Sequence, residues 1–204
     1  MSAGPRVALT FDAEHPDRPL CPPGNAERIL DALADARARA TFFVQGRWAL
    51  SQPAAARRIA DDGHLVGHHS HFHARMPLLS PEGLAADVAE AAEAIERTTG
   101  VDPRPWFRFP FGAGGDDPVT CDRVRALGYT PVGWHVALED WEPWRTADDL
   151  VAGALDGVRE HGDGTVVLLH TWPGPTGEAV PRMLATLGGL GARFVTVDEL
   201  DDLP

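Results

Sequence analysis

The run GHLVGHHSHFH holds His64, His68, His69, His71 and His73, five of the nine histidines of the chain. Imidazole nitrogen is a common ligand for zinc and similar divalent ions, and two histidines four apart on one turn, such as His69 and His73, can face the same ion. A catalytic centre of that kind also needs an anionic third ligand and an open position for water. Acidic candidates stand in VALTFDAEHPD, an apolar run that stops on Asp12, Glu14 and His15. Arg108 in WFRFP, Asp140 after VALE and His170 at the close of TVVLLH are the other reactive groups that end or interrupt apolar runs. A His-rich solvated loop is the bland alternative, and the histidine cluster together with an acidic strand end elsewhere weighs against it.

The elements that must position these groups alternate along the chain. Short apolar or β-branched runs predict strands at RVALTFD, ATFFVQG, HLVGHH, WFRFP, TPVGWHV, TVVLLH and RFVTVDEL. Between them AERILDALADARA, PAAARRIADDG, SPEGLAADVAEAAEAIERTTG, DPVTCDRVRALG and TADDLVAGALDGVREHG read as amphipathic helices. Several open on Ser, Thr or Asp before Pro or an acidic residue and close at Gly, as capped helices do. No linker or low-complexity segment divides the chain, so residues 1–204 are expected to form a single α/β domain with a largely parallel sheet. Seven strand candidates favour a barrel-like closure over a small open sheet. The reactive residues fall at the carboxyl ends of the predicted strands, where parallel α/β folds gather functional side chains.

Composition narrows the possible partners. The 204 residues are 44% hydrophobic and 24% charged, ordinary for a globular chain. A net charge of -12 repels phosphate backbones and anionic lipid, which argues against nucleic acid and membrane surfaces. MSAGPRVALTFD lacks the pattern of a secretory signal, and a cytoplasmic location is expected. Cys21 and Cys121 are too few for a disulfide scaffold and are expected to be reduced.

TFDAE, HSHFH, RFPFG, ALEDW and LLH, followed by the terminal FVTVDEL, form an ordered series that resembles the NodB-type polysaccharide deacetylases of carbohydrate esterase family 4. The resemblance implies a deformed (β/α) barrel of about seven parallel strands and metal-dependent hydrolysis of an N-acetyl group, usually from an amino sugar. It assigns Asp12 as general base, Arg108 as its partner, His69 and His73 as metal ligands with Ser70 between them, and His170 as general acid. Phe111 and Gly112 would shape the substrate groove, the backbone near Phe111 offering an oxyanion donor. Trp141 is a further substrate-binding candidate that would pack the site wall, and Trp172 and Trp144 would stack on a sugar face. The cofactor implied is one divalent ion, zinc first, with cobalt or nickel as alternatives.

Two motifs depart from the family pattern. The family's usual carboxylate ligand follows the base directly, and Ala13 stands there without a donor atom. Glu14, one residue on and one methylene longer, is the first candidate for the third ligand if the strand end breaks its alternation; Asp12, His15 or no metal at all are the other options. Ala137 stands where the family has an Asp that tunes the acidic histidine, leaving Asp140 or Glu139 to compensate. His68 is expected to be structural and His71 to face solvent. The substrate expected is a saccharide or a small N-acylated metabolite. The alternatives are a non-hydrolytic, metal-poor binding descendant of the fold, and a hydrolase of cyclic amides or ureides.

Overall fold

The computed structural model describes residues 4–15 and 21–204. Among these residues eight strands and seven α-helices follow one another: β1 (Arg6–Ala13), α1 (Asn25–Asp35), β2 (Thr41–Val44), α2 (Gly46–Ser51), α3 (Pro53–Asp61), β3 (Leu65–His68), α4 (Pro81–Thr99), β4 (Trp106–Phe107), α5 (Pro118–Ala126), β5 (Thr130–Pro131), β6 (Val136–Ala137), α6 (Ala147–His161), β7 (Thr165–His170), α7 (Gly174–Gly189) and β8 (Arg193–Phe194). Every strand of the sequence reading is present, but TPVGWHV divides into β5 and β6, with Gly133 between them. Glycine weakens a strand interior, having no side chain to pack.

The chain forms two compact units. One comprises Met1–Phe11, Asp17–Thr41 and Trp134–Pro204; the other comprises Asp12–Pro16 and Phe42–Gly133. In the first unit β8 pairs in parallel with β1, Val7 opposite Phe194, and β6 pairs in parallel with β7, Ala137 opposite Leu168. Thr10 Oγ1 donates to the Val167 carbonyl at 2.7 Å, which fixes β1 against β7. In the second unit β3, β4 and β5 run parallel, His68 opposite Phe107 and Phe107 opposite Pro131. The end of β1 lies by β2 here, the Gln45 N–H donating to the Ala13 carbonyl at 2.9 Å. Strands β2 and β7 are buried at every residue, the mark of parallel strands covered on both faces.

Helix boundaries follow local chemistry. Ser80 caps α4 by accepting the Gly83 N–H, with Pro81 at the first helical position and Gly100 left-handed at the end. Thr146 and Asp149 cap α6 reciprocally. Helix α7 has no counterpart in the sequence reading. Pro175 and Pro181 lie within it, together with four glycines counted from Gly174 to Gly189, and such residues ordinarily punctuate helices. Its buried face, including Ala179, Val180, Met183, Leu184 and Leu187, sustains the helix by packing. In the second unit Met76, Leu84, Val88, Phe107, Phe109, Val124 and Tyr129 form a core with Cys121. Both cysteines are free thiols. Among the described residues no helix is long and apolar enough to cross a membrane.

Gly157 reports how closely α6 sits on β6. A Cβ there would lie 2.4 Å and 2.8 Å from the two methyls of Val136, a stiff β-branched side chain. Gly→Ala in an exposed helix interior stabilises by up to about 1 kcal/mol. Here overpacking wins, and Gly157→Ala is expected to lower stability by about 1–3 kcal/mol. Chemical denaturation of the two proteins checks the sign.

Candidate metal centre and acid-base site

Strand β1 delivers a pair of carboxylates. Asp12 and Glu14 are two residues apart, and the two-residue period of an extended chain turns both to one side. Both are buried. Each approaches Nε2 of His69, Glu14 Oε2 at 3.1 Å and Asp12 Oδ2 at 3.5 Å. Glu14 thus reaches the imidazoles without the break in alternation expected from the sequence, because it shares the side of Asp12 and Ala13 does not. The same Glu14 oxygen contacts Nε2 of His73. Its other oxygen, Oε1, lies 3.1 Å from Nε2 of His15. His15 therefore braces Glu14, and its ring stands edge-on to His73 with centroids 4.5 Å apart.

The ligand atoms of Glu14, His69 and His73 all lie within 4.8 Å of one another, and all three residues are buried, an arrangement that could hold a metal ion. The donors fit a borderline divalent ion, with two imidazole nitrogens and one carboxylate oxygen. The His69 Nδ1–H donates to the Arg108 carbonyl at 2.9 Å, which leaves Nε2 with its lone pair in the neutral ring. Burial lowers the pKa of His69, but the adjacent Asp12 and Glu14 outweigh it and the net shift is upward. At His73 burial prevails over Glu14 and the shift is downward.

The histidines are presented by a pinned loop rather than by the helical turn that a four-residue spacing suggests. Ser70 and His73 both have left-handed backbone, φ 61° and 56°, an uncommon state for residues with a Cβ. Each is secured: the Ser70 N–H donates to His68 Nδ1 at 3.1 Å, and the His73 N–H donates to Ser70 Oγ at 2.9 Å. Asp87, buried on α4, accepts the N–H groups of His71 and Phe72 at 2.9 and 3.0 Å. His68 is structural, its Nε2–H donating to the Val88 carbonyl at 2.9 Å and its pKa lowered to about 4 by burial. His71, expected to face solvent, is instead buried, with Nε2 3.3 Å from Glu90. The loop folds that ring inward against Gly46, where a Cβ would meet its Nδ1 at 2.4 Å.

Arg108 is completely buried. Its Nη1 donates to Asp12 Oδ1 at 3.0 Å, Nη2 to the Gly133 carbonyl at 2.7 Å and Nε to the Val132 carbonyl at 3.3 Å. The guanidinium lies 4.1 Å from the centroid of Phe43. Burial depresses its pKa, and Asp12 opposes that shift. Asp12 thus has one oxygen on the arginine and the other toward His69. Phe111, half exposed, has φ 59° and meets His73 edge-on with centroids 4.4 Å apart. Gly112 follows at φ 66°.

The imidazole of His170 has its own network, in the other unit. Its Nδ1–H donates to Asp140 Oδ1 at 2.7 Å, and its backbone N–H donates to Asp140 Oδ2 at 2.8 Å. Thr176 Oγ1 donates to the same Oδ2 at 2.6 Å. Of the two acidic candidates, Asp140 is thus the one that contacts His170, while Glu139 faces Arg145. Trp141, 37% exposed, stands edge-on to His170 with centroids 5.2 Å apart. Trp172 is buried beside it at 6.3 Å, and Trp144 is exposed.

The family model described as polysaccharide deacetylase matches residues 2–132, which include the Asp12, His69, His73 and Arg108 motifs. The chain belongs to the polysaccharide deacetylase family. Among solved structures it is similar to a T48 deacetylase with substrate, at 33% identity and a TM-score of 0.82 over 96% of this chain and 90% of that one. That likeness carries the fold class, a deformed (β/α) barrel of about seven parallel strands. The peptidoglycan-N-acetylglucosamine deacetylase PgdA of Listeria monocytogenes is 31% identical over 96% of this chain, which spans 38% of that relative's length. A family 4 carbohydrate esterase pseudoenzyme from Bacillus anthracis is 26% identical, with a TM-score of 0.84 over 98% of this chain and 66% of that one.

Thr176 and Asp87 are parts of these networks that the sequence did not single out. Neither carries a motif signal, since Thr176 opens a helix that Pro and Gly disguise and Asp87 sits on the buried side of an ordinary amphipathic helix. The ion pair offers a direct test. Arg108→Met leaves Asp12 buried without its cation, and breaking a buried pair from one side costs about 3–5 kcal/mol. Urea unfolding of the variant is expected to show a loss in that range; a loss below about 1 kcal/mol, typical of exposed pairs, would rule out a structural role for the pair.

Proposed function

We propose that the protein is a metal-dependent hydrolase that removes the N-acetyl group from an amino sugar of a saccharide. The observation that carries this reading is the buried Glu14, His69 and His73 cluster with Asp12 beside it, tied to Arg108. Zinc suits the donor set best, and cobalt or nickel are the alternatives. When bound, such an ion would polarise the amide carbonyl and activate a water molecule.

The chain's own groups account for the proton movements. Asp12, bound through Oδ1 to Arg108, takes the proton of the attacking water on Oδ2. His170 gives a proton to the departing nitrogen from Nε2, because Nδ1–H is committed to Asp140. Asp140 stabilises the imidazolium form and Thr176 holds Asp140 in place. Water adds to the carbonyl carbon and the carbon–nitrogen bond breaks, leaving acetate and a free amine. The assignment of His170 rests on its motif and its own hydrogen bonds. Relatives named for deacetylation of peptidoglycan N-acetylglucosamine support a saccharide substrate over a cyclic amide or ureide.

A non-hydrolytic role is the second reading, favoured by the similarity to a pseudoenzyme and by Ala13 and Ala137. One set of measurements separates the two. Protein stripped of metal and reloaded with zinc should hold about one ion per chain, and both Glu14→Ala and His69→Ala should fail to retain it. Acetate release from N-acetylglucosamine oligomers should fall about 10²–10⁴-fold in Asp12→Asn. Zinc held by the wild type with no acetate released from oligomers or peptidoglycan fragments would favour the binding role.

A further inference from the structure

The segment after β1 carries a group that the proposed proton movements leave unused. His15 stands directly after Glu14, and its Nε2 lies 3.1 Å from Glu14 Oε1. A carboxylate oxygen only accepts, so Nε2 bears the hydrogen of that bond. The other oxygen, Oε2, is the one that faces Nε2 of His69 and of His73. Glu14 is thereby divided, with one oxygen turned to the candidate centre and the other held back from it. Asp12 is divided in the same way, Oδ1 on Arg108 and Oδ2 toward His69.

The surrounding chain enforces the position of His15. Its backbone is left-handed, φ 52°, a state uncommon for a residue with a Cβ. Its N–H donates to Oε1 of Gln45 at 3.0 Å, and the Gln45 N–H donates to the Ala13 carbonyl at 2.9 Å. Gln45 is buried, so the two bonds tie the end of β1 to the start of α2. The ring of His15 also stands edge-on to that of His73, with centroids 4.5 Å apart. How many oxygens Glu14 offers matters to the choice of ion. A carboxylate that offers one suits a four-coordinate zinc with two imidazoles and an open place for water. Larger hard ions take both oxygens of a carboxylate within a richer ligand set, and manganese prefers six-coordinate oxygen surroundings.

We infer that His15 is a positioning residue that restricts Glu14 to one-oxygen ligation and thereby sets the preference of the centre for zinc over manganese. The inference rests on the metal-dependent reading of the Glu14, His69 and His73 cluster. Without the His15 donor, Glu14 is released to turn both oxygens toward the two imidazoles. That change weakens a four-coordinate ion and favours a six-coordinate one.

The test measures Kd for zinc and for manganese, by competition with a chromophoric chelator, in the wild type, His15→Phe, His15→Ala and His15→Gln. Phenylalanine keeps a ring without the donor, alanine removes both, and glutamine keeps a donor. Losing a partner that orients a metal ligand costs about 10–100-fold in affinity. In His15→Phe and His15→Ala, zinc is expected to weaken by that factor while manganese changes little, so the preference for zinc falls about tenfold or more. His15→Gln should recover most of it. Cobalt-loaded protein gives a second readout, because four-coordinate cobalt absorbs visible light far more strongly than six-coordinate cobalt. The band should weaken in His15→Phe and return in His15→Gln. Equal weakening of zinc and manganese, the mark of a merely structural role, or an unchanged cobalt band in His15→Phe would overturn the inference. A wild type that binds neither ion overturns it together with the metal-dependent reading. The expected ratios without acetate release would sink the hydrolase reading alone and leave the role of His15 standing.

Discussion

One buried cation organises the candidate metal centre. Arg108 has no exposed surface and reaches four places at once: Asp12 at the end of β1, the carbonyls of Val132 and Gly133 after β5, and the Phe43 ring on β2. Its own carbonyl accepts from His69. An ion buried to this degree is costly unless nearly all its donors are met, and the surroundings meet them with two carbonyls and one carboxylate. The consequence is geometric. Asp12 cannot turn away, His69 cannot flip, and the two are held with Nε2 and Oδ2 3.5 Å apart.

Adjacent histidines show how environment sets protonation. His68 and His69 are both buried, yet their pKa values move in opposite directions. Around His68 the hydrogen-bond partners are the Val88 carbonyl and the Ser70 N–H, so burial dominates and the ring stays neutral. Around His69 stand two carboxylates, which outweigh burial. The first ring acts as a fixed link in the loop, while the second sits in the negative surroundings that suit a cation.

The His170 network is likewise held by a buried carboxylate. Asp140 uses both oxygens, one for the ring Nδ1–H and one for the backbone N–H of the same residue, and Thr176 adds a third donor. Asn25 supports the segment that follows by donating to the carbonyls of Thr171 and Pro173 at 2.8 and 2.9 Å. A carboxylate with three donors is held in one orientation, which fixes the tautomer of the imidazole and leaves Nε2 outward from the pair.

The α/β class and most strand positions were legible in the sequence, and so were the candidate residues whose contacts the structure describes. Strand period, helix caps and residue chemistry are local, and the candidates Asp12, Arg108 and His170 draw attention by ending or interrupting apolar runs, as His69 and His73 do by clustering. Tertiary structure alone decided that Glu14, rather than His15, shares the two imidazoles, since that depends on which side of β1 meets the loop after β3. It alone decided that His71 is buried, that α7 is helical despite its prolines, and that Asp140 is locked by Thr176. Each of these outcomes rests on contacts between residues distant in the chain. Local propensity carries no information about such partners.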